Sequence, residues 1–226
     1  MLIGKDAVGR LARSRVAVFG LGGVGGYVTE ALARTGVGSL DLIDSDTVAL
    51  SNLNRQIIAT RDTVGEKKTE AMKRRVLSIN PGCTIRTRDL FYLPETRDMF
   101  NFSDYDYVVD AVDTVAAKLS LIEEAEKTGT RIISSMGAGN KLDATLFRVA
   151  DIYSTSVDPL ARVIRTECRK RGIRKLKVVY STEKPITPLF TEETSSRRST
   201  PASIAFIPSV CGLIIAGEVI KDLINQ

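Results

Sequence analysis

The segment GLGGVGG, Gly20 to Gly26, lies between the apolar run RVAVF and the helix-patterned YVTEALART. It constrains the fold more than any other stretch of the chain. Gly20, Gly22 and Gly25 satisfy the pattern G-x-G-x-x-G. The first glycine allows a tight turn, the second lets a backbone approach phosphates, and the third lets a helix pack closely on its strand. A helix beginning there points free N–H groups and a partial positive charge at an anion. The run SLDLID, Ser39 to Asp44, alternates as a strand and ends on a carboxylate. Asp44 thus stands about 20 residues past the turn, where a ribose-binding carboxylate is expected.

The remaining pattern repeats this unit. EKKTEAMKRRVLSIN reads as an amphipathic helix closed by NPG, TIRTRD as a strand, YDYVVDAVD as a buried strand, AAKLSLIEEAEKTG as a helix and RIISSMG as the next strand. Strand–helix units of this length predict a doubly wound, mainly parallel α/β sheet of the Rossmann-like kind. The second half is less regular. KLDATLFRVAD suggests a hairpin or edge strands, PLARVIRTECRKRG a basic helix, KLKVVYS a strand, and PLFTEETSSRRSTPAS a mobile polar loop. A closing helix is expected from about Ser209 to Ile224, too short and too interrupted by Pro208 to span a bilayer. With no linker or repeat, residues 1–226 read as one domain. A nucleotide-binding half covers 1–139 and a substrate-facing half covers 140–226.

Composition then narrows the chemistry. There is no histidine, which removes Ser-His-Asp and Cys-His nucleophile systems and any histidine-ligated metal. Three cysteines, Cys83, Cys168 and Cys211, form no Cys-x-x-Cys pair. An odd count and an N-terminus without a long apolar core point to reduced thiols in the cytoplasm. Cys168 shares an apolar helix face with Leu160 and Ile164, and Cys211 lies in an apolar run, so both read as buried structural thiols.

After Asp44 comes DSDTVALSNLNRQ. A dinucleotide domain does not need Asn52, Asn54, Arg55 and Gln56 here, whereas a polyphosphate with a leaving group would use their amides and a guanidinium. Lys68 opens the next helix and can add a point charge to the same phosphates. VVDAVDTV places Asp110 and Asp113 at the carboxyl end of a strand, the ligand edge of such sheets. Asp113, just past the strand, is the candidate for Mg²⁺ shared with phosphates, with a helix N-cap as the competing reading.

Taken together, GLGGVG, LIDSDTVALSNLNRQ, VGEKKTEA and VVDAVDTV resemble the ThiF/MoeB superfamily of adenylating enzymes, over about Val8 to Gly139. The resemblance implies a usually homodimeric ATP-binding domain that adenylates a carboxylate and releases pyrophosphate. By motif it puts Gly23 against the phosphates, Asp44 on the ribose with Asp46 as a second acidic candidate, and Asn54, Arg55 and Lys68 at the triphosphate. It assigns Asp113 to Mg²⁺ and the attack geometry, and makes Arg55, Lys68 and Asp113 the catalytic set. It also implies an arginine upstream of the first residue here, with Arg10 and Arg13 as candidates for a comparable role.

GAGNKLDATLFRVADI, VDPLARVIR and VVYSTEKP are similar to the tRNA threonylcarbamoyladenosine dehydratase branch of that superfamily. The implied substrate is tRNA bearing threonylcarbamoyladenosine, with sulfur-transfer proteins among the expected partners. Arg162, Arg165, Arg169, Arg171 and Lys175 are the candidate tRNA contacts, joined by Arg197 and Arg198; a solvated helix face competes with that reading. The net charge of +5 permits an anionic partner without requiring one. Two other functions remain open: activation of a ubiquitin-like sulfur-carrier protein, which the missing paired Cys-x-x-Cys motifs disfavour, and a nucleotide-binding module without chemistry.

Overall fold

The computed structural model of the chain describes residues 2–187 and 202–225. Its strands are β1 (Arg15–Phe19), β2 (Ser39–Ile43), β3 (Thr84–Arg88), β4 (Tyr107–Asp110), β5 (Ile132–Ser135), β6 (Phe147–Asp151) and β7 (Lys177–Ser181). They form one seven-stranded sheet in the order β3-β2-β1-β4-β5-β7-β6. All neighbours are parallel except β6 and β7. KLDATLFRVAD therefore supplies one antiparallel edge strand, β6, after a short 3₁₀ turn at Ala144–Leu146.

The helices are α1 (Gly4–Arg13), α2 (Gly25–Thr35), α3 (Lys68–Ile79), α4 (Val115–Thr128), α5 (Pro159–Lys170) and α6 (Phe206–Ile224). Strand β1 shows why they flank the sheet on both sides. Val16 and Val18 belong to a core with Val28 and Leu32 of α2, Met72 of α3 and Ile215 of α6. Ala17 and Phe19, the alternate residues, face a second core with Leu121 of α4 and the rings of Tyr92, Phe100 and Phe102. A strand buried on both faces reads as a continuous apolar run, as RVAVF does. Helices α4 and α5 share a third cluster around Ile122, Ile164 and Cys168.

Three boundaries differ from the sequence expectation. Helix α6 starts at Phe206, three residues before Ser209, with Pro208 inside its first turn, where a missing N–H leaves no helix bond unmade. Strand β4 is only the YVVD core of the longer apolar pattern, because Ala111 to Asp113 turn out as a loop. The N-terminal residues form α1, an element without a sequence assignment. Its Arg10 donates to the carbonyl of Ile224, capping the far end of α6. This bond engages Arg10 at the C-terminus of α6, and Arg13 is exposed on the same helix. Residues 188–201, with Arg197, Arg198 and the loop expected there, lie outside the described residues. Among the described residues no helix is long and apolar enough to cross a membrane.

Helices α2 and α3 are joined by the 6% exposed Glu30, which accepts from Arg75 at 2.6 Å and Arg34 at 2.7 Å. Burial pushes this carboxyl upward, but the hydrogen bonds from Arg75 and Arg34 outweigh it and hold it below its ordinary value. A lowered native pKa contributes stability that is complete above the unfolded value, about 4.3, and is lost as pH falls through the native value. Glu30→Gln is expected to cost about 1–3 kcal/mol at pH 7. In denaturant titrations the gap from wild type should narrow as pH falls below about 4; a gap independent of pH would contradict this account.

Candidate nucleotide site

The sheet order reverses at β1, which has β2 on one side and β4 on the other. In wound sheets the ligand crevice opens at such a switch, outside the carboxyl ends of the strands. Here it is a cleft of about 660 Å³ whose walls include Gly20, Gly22, Gly23, Asp44, Asp46, Arg55, Gln56, Lys68 and Asp113. Residues drawn from four separate sequence segments therefore meet at one edge. Of the nucleotide candidates, Gly25 and Asn54 are not among the residues lining it.

The glycines have distinct reasons to be glycine. Gly20 adopts φ +89°, and a Cβ there would stand 2.7 Å from the Ala111 carbonyl oxygen. A Cβ on Gly25 would fall 1.8 Å from the Gly20 oxygen, so α2 could not approach β1. Gly22 has no such neighbour: the nearest atom is Gln56 Nε2 at 3.9 Å. Its bare backbone faces open cleft, as close approach of a phosphate requires. At Gly23 a Cβ would press on Pro208 at 3.0 Å, so this glycine also admits the start of α6.

Asp44 binds the turn to the strand beside it. One oxygen accepts from the Leu21 N–H at 2.7 Å and the other from the Asp46 N–H at 2.8 Å. A carboxylate offers about four acceptor sites, so capacity remains for ribose hydroxyls. Lys68 is 5% exposed; its ammonium is 2.7 Å from Asp46 and 3.9 Å from Asp44. Asp46 is thus the counter-ion of Lys68 in this structure. Arg55 spends Nη1 on Ser51 O and Asn54 Oδ1, both at 2.9 Å, leaving Nη2 and Nε without a partner among the described residues. Asn54 donates to Ser203 O at 3.0 Å. Two buried wall atoms, Gln56 Oε1 and Ser203 Oγ, have no hydrogen-bond partner among the described residues.

Asp110 and Asp113 separate cleanly. Asp110 is fully buried and pairs with Lys118 at 3.1 Å; Lys118 also donates to Ser135 O at 2.6 Å. Asp113 is exposed at the cleft mouth, and the N-cap position of α4 belongs to Thr114. Among the cleft carboxylates Asp44, Asp46, Asp113 and Asp158, only Asp113 makes no ion pair among the described residues. No cluster of three or more His, Cys, Asp or Glu able to hold a metal occurs there. Asp113 fits Mg²⁺ in the way a single carboxylate does, with phosphate oxygens and water completing the shell.

The basic helix is less free than its sequence suggests. Arg165 turns back onto Thr155, Arg169 stacks over Tyr153 at 5.4 Å, and Arg171 pairs with Glu167 and Glu123. Arg162 and Lys175 are exposed without an ion pair among the described residues. All three cysteines are buried and unpaired. Burial pushes the Cys168 and Cys211 thiols up to about 11, and raises Cys83 as well, so none is a ready nucleophile.

Some of the lining was not legible as a site. It includes Leu90, the half-exposed Phe91 and Tyr92, which follow β3, and Lys141 and Asp158, which lie beyond β5. The only sequence signal for Lys141 was the segment GAGNK.

The sequence matches the ThiF family over residues 1–226. It is 44% identical to the tRNA threonylcarbamoyladenosine dehydratase of Bacillus subtilis (strain 168), across 100% of this chain and 93% of that protein. The Escherichia coli (strain K12) protein of the same name is 39% identical over 83% of this chain and 73% of its own length. Crystal structures of the E. coli dehydratase with AMP and with ATP superpose with TM-scores of 0.91 and 0.90. Both are 33% identical to this chain, covering 99% of it and 91% of theirs. A Candida glabrata adenylyltransferase and sulfurtransferase is 31% identical over 73% of this chain and 39% of its own length.

Two glycine substitutions should separate packing from ligand approach. Gly22→Ala is expected to keep the thermal midpoint within about 2 °C of wild type while weakening ATP binding at least about tenfold by calorimetry. Gly25→Ala should lower the midpoint by more than about 8 °C or prevent folding. Similar effects of the two changes on stability would contradict these assignments. Iodoacetamide should leave Cys168 and Cys211 unlabelled in the native protein at pH 8, as read by mass spectrometry, and label both after denaturation.

Proposed function

The chain belongs to the ThiF family, and from that premise we propose that it is an ATP-dependent tRNA threonylcarbamoyladenosine dehydratase. The observation that carries this reading is the cleft itself. It combines a phosphate turn, a ribose-side carboxylate and two cations at the sheet's switch point, in a chain alike along its whole length to dehydratases.

A carboxylate resists attack because its leaving group would be oxide. Transfer of AMP onto it gives an acyl adenylate with a good leaving group. Negative charge grows on the α-phosphate and the departing pyrophosphate, and fixed donors must already face it. The α2 N-terminus, the free Nη2 and Nε of Arg55, and Lys68 are such donors. Asp44 orients the nucleotide through the ribose, and Asp46 holds Lys68 until phosphate competes for it. Mg²⁺, when bound, neutralises phosphate oxygens, and Asp113 is the residue that would hold it. A nucleophile within the same threonylcarbamoyl group then closes a ring on the activated carbonyl and AMP leaves. Ring closure inside one molecule has a high effective concentration, so no protein nucleophile is required. That agrees with a chain whose thiols are buried and which lacks histidine.

The tRNA would lie along α5, with Arg162 and Lys175 offering free charge to phosphates, and the working form would be a homodimer. The protein with ATP, Mg²⁺ and threonylcarbamoyl-modified tRNA should yield a nucleoside lighter by one water, read by mass spectrometry. Arg55→Ala and Lys68→Ala should each reduce kcat about 10²–10³-fold, and Asp113→Ala should do likewise. Unchanged nucleoside mass, together with AMP release stimulated by a small protein ending in Gly-Gly, would replace this reading with carrier-protein activation.

A further inference from the structure

Three lysines are buried at or near the cleft, and they differ in how well their ammonium groups are satisfied; Lys68 has Asp46 at 2.7 Å. Lys118, 1% exposed, meets Asp110 twice at 3.1 Å and Ser135 O at 2.6 Å. Its three donors are accounted for, and it is structural. Lys141, 4% exposed, has only Gly139 O at 3.4 Å and Asp158 Oδ2 at 3.8 Å. Its ammonium has no other hydrogen-bond or ion-pair partner among the described residues, although it lines the cleft. A buried ammonium with two long contacts lacks part of the compensation that burial demands. An anion entering the cleft would supply it.

The backbone beside Lys141 is held for this purpose. Asn140 adopts φ +58°, rare for a residue with a side chain. It keeps that conformation through three bonds. Its N–H donates to Ala202 O at 2.7 Å, its carbonyl accepts from Ile186 N at 2.8 Å, and its Oδ1 accepts from Ala202 N at 2.8 Å. Asp158 is equally fixed, accepting from Gly137 N at 3.2 Å and from Ala161 N at 2.9 Å as the cap of α5. The residue before Lys141 and the Asp158 carboxylate are thus both held in place, with the Lys141 ammonium 3.8 Å from Asp158.

Position identifies the anion. Asp44 follows β2 and Lys141 follows β5, with β1 and β4 between them. Three strand spacings of about 4.8 Å separate the two sides by about 14 Å. The ribose end of the cleft therefore lies away from Lys141, which stands past Asp113 and beside the start of the basic helix. Resting on the dehydratase reading, we propose that Lys141 is the binding residue for the free carboxylate of the substrate's threonylcarbamoyl group. It seats that carboxylate beside Asp113 before adenylation, and Asp158 holds the ammonium in place while the cleft is empty.

The test compares wild type with Lys141→Gln, using an anticodon stem-loop RNA with and without the threonylcarbamoyl group. Lys141→Gln should lose the preference for modified over unmodified RNA in fluorescence anisotropy, with ATP affinity changed less than about twofold. KM for modified tRNA should rise at least about tenfold, more than kcat falls, because a ground-state contact is removed. An unaltered preference would overturn the proposal. So would an equal weakening of ATP binding, which would make Lys141 a phosphate ligand. Should the Gln variant fail to fold, Lys141→Arg keeps the charge but displaces it; it must raise KM for modified tRNA with ATP affinity held, and an unchanged KM overturns the proposal. A wild-type protein that neither prefers the modified RNA nor dehydrates it would instead remove the dehydratase reading on which the proposal stands.

Discussion

The contact between the Cα of Gly25 and the carbonyl of Gly20 is the constraint from which the cleft is built. With 1.8 Å between that oxygen and any added Cβ, only glycine lets α2 start so close to β1. The same closeness sets Gly20 against Ala111 and brings the turn after β1 onto the loop after β4. On the other flank, α6 approaches through Gly212, where a Cβ would meet Val24 O at 2.5 Å. A chain of backbone-to-backbone contacts thus runs from the Asp113 loop through the phosphate turn to the closing helix. Side chains at any of these points would wedge the cleft apart.

Behind that edge lies a buried polar layer that fixes the loops without touching a ligand. Asp110 is paired with Lys118 and also accepts from the Val112 N–H at 3.2 Å. The charge pair therefore shapes the loop that presents Asp113. Breaking such a pair from one side leaves an uncompensated charge in the core, a far larger loss than the pair's net contribution to stability. The sheet's carboxyl edge is thus held from below by an ion pair and from the side by glycines, and the candidate catalytic groups project from a rigid base.

Much of this was legible in the sequence because it is local. The turn, Asp44, the SNLNRQ segment and Lys68 announce themselves through spacing, and RVAVF through its unbroken apolarity. What stayed hidden depends on long-range partners. Arg165 and Arg171 look like a free basic face until Thr155, Glu123 and Glu167 are seen to hold them. Nothing local in the sequence announces that Asp46 pairs with Lys68 at 2.7 Å. Lys141 and Asp158 belong to different segments and meet only because β7 inserts beside β5 and draws α5 over the loop after it. Arg10 gives no local sign that it caps the C-terminus of α6, more than two hundred residues along the chain.

The central claim is that this cleft spends ATP on a carboxylate carried by a modified tRNA. Its most direct test is the formation of AMP and pyrophosphate measured with modified and with unmodified tRNA, alongside the cyclised nucleoside. The account predicts AMP release that requires the modification and matches the cyclised product mole for mole. AMP release that ignores the modification, or cyclisation without AMP, would contradict it.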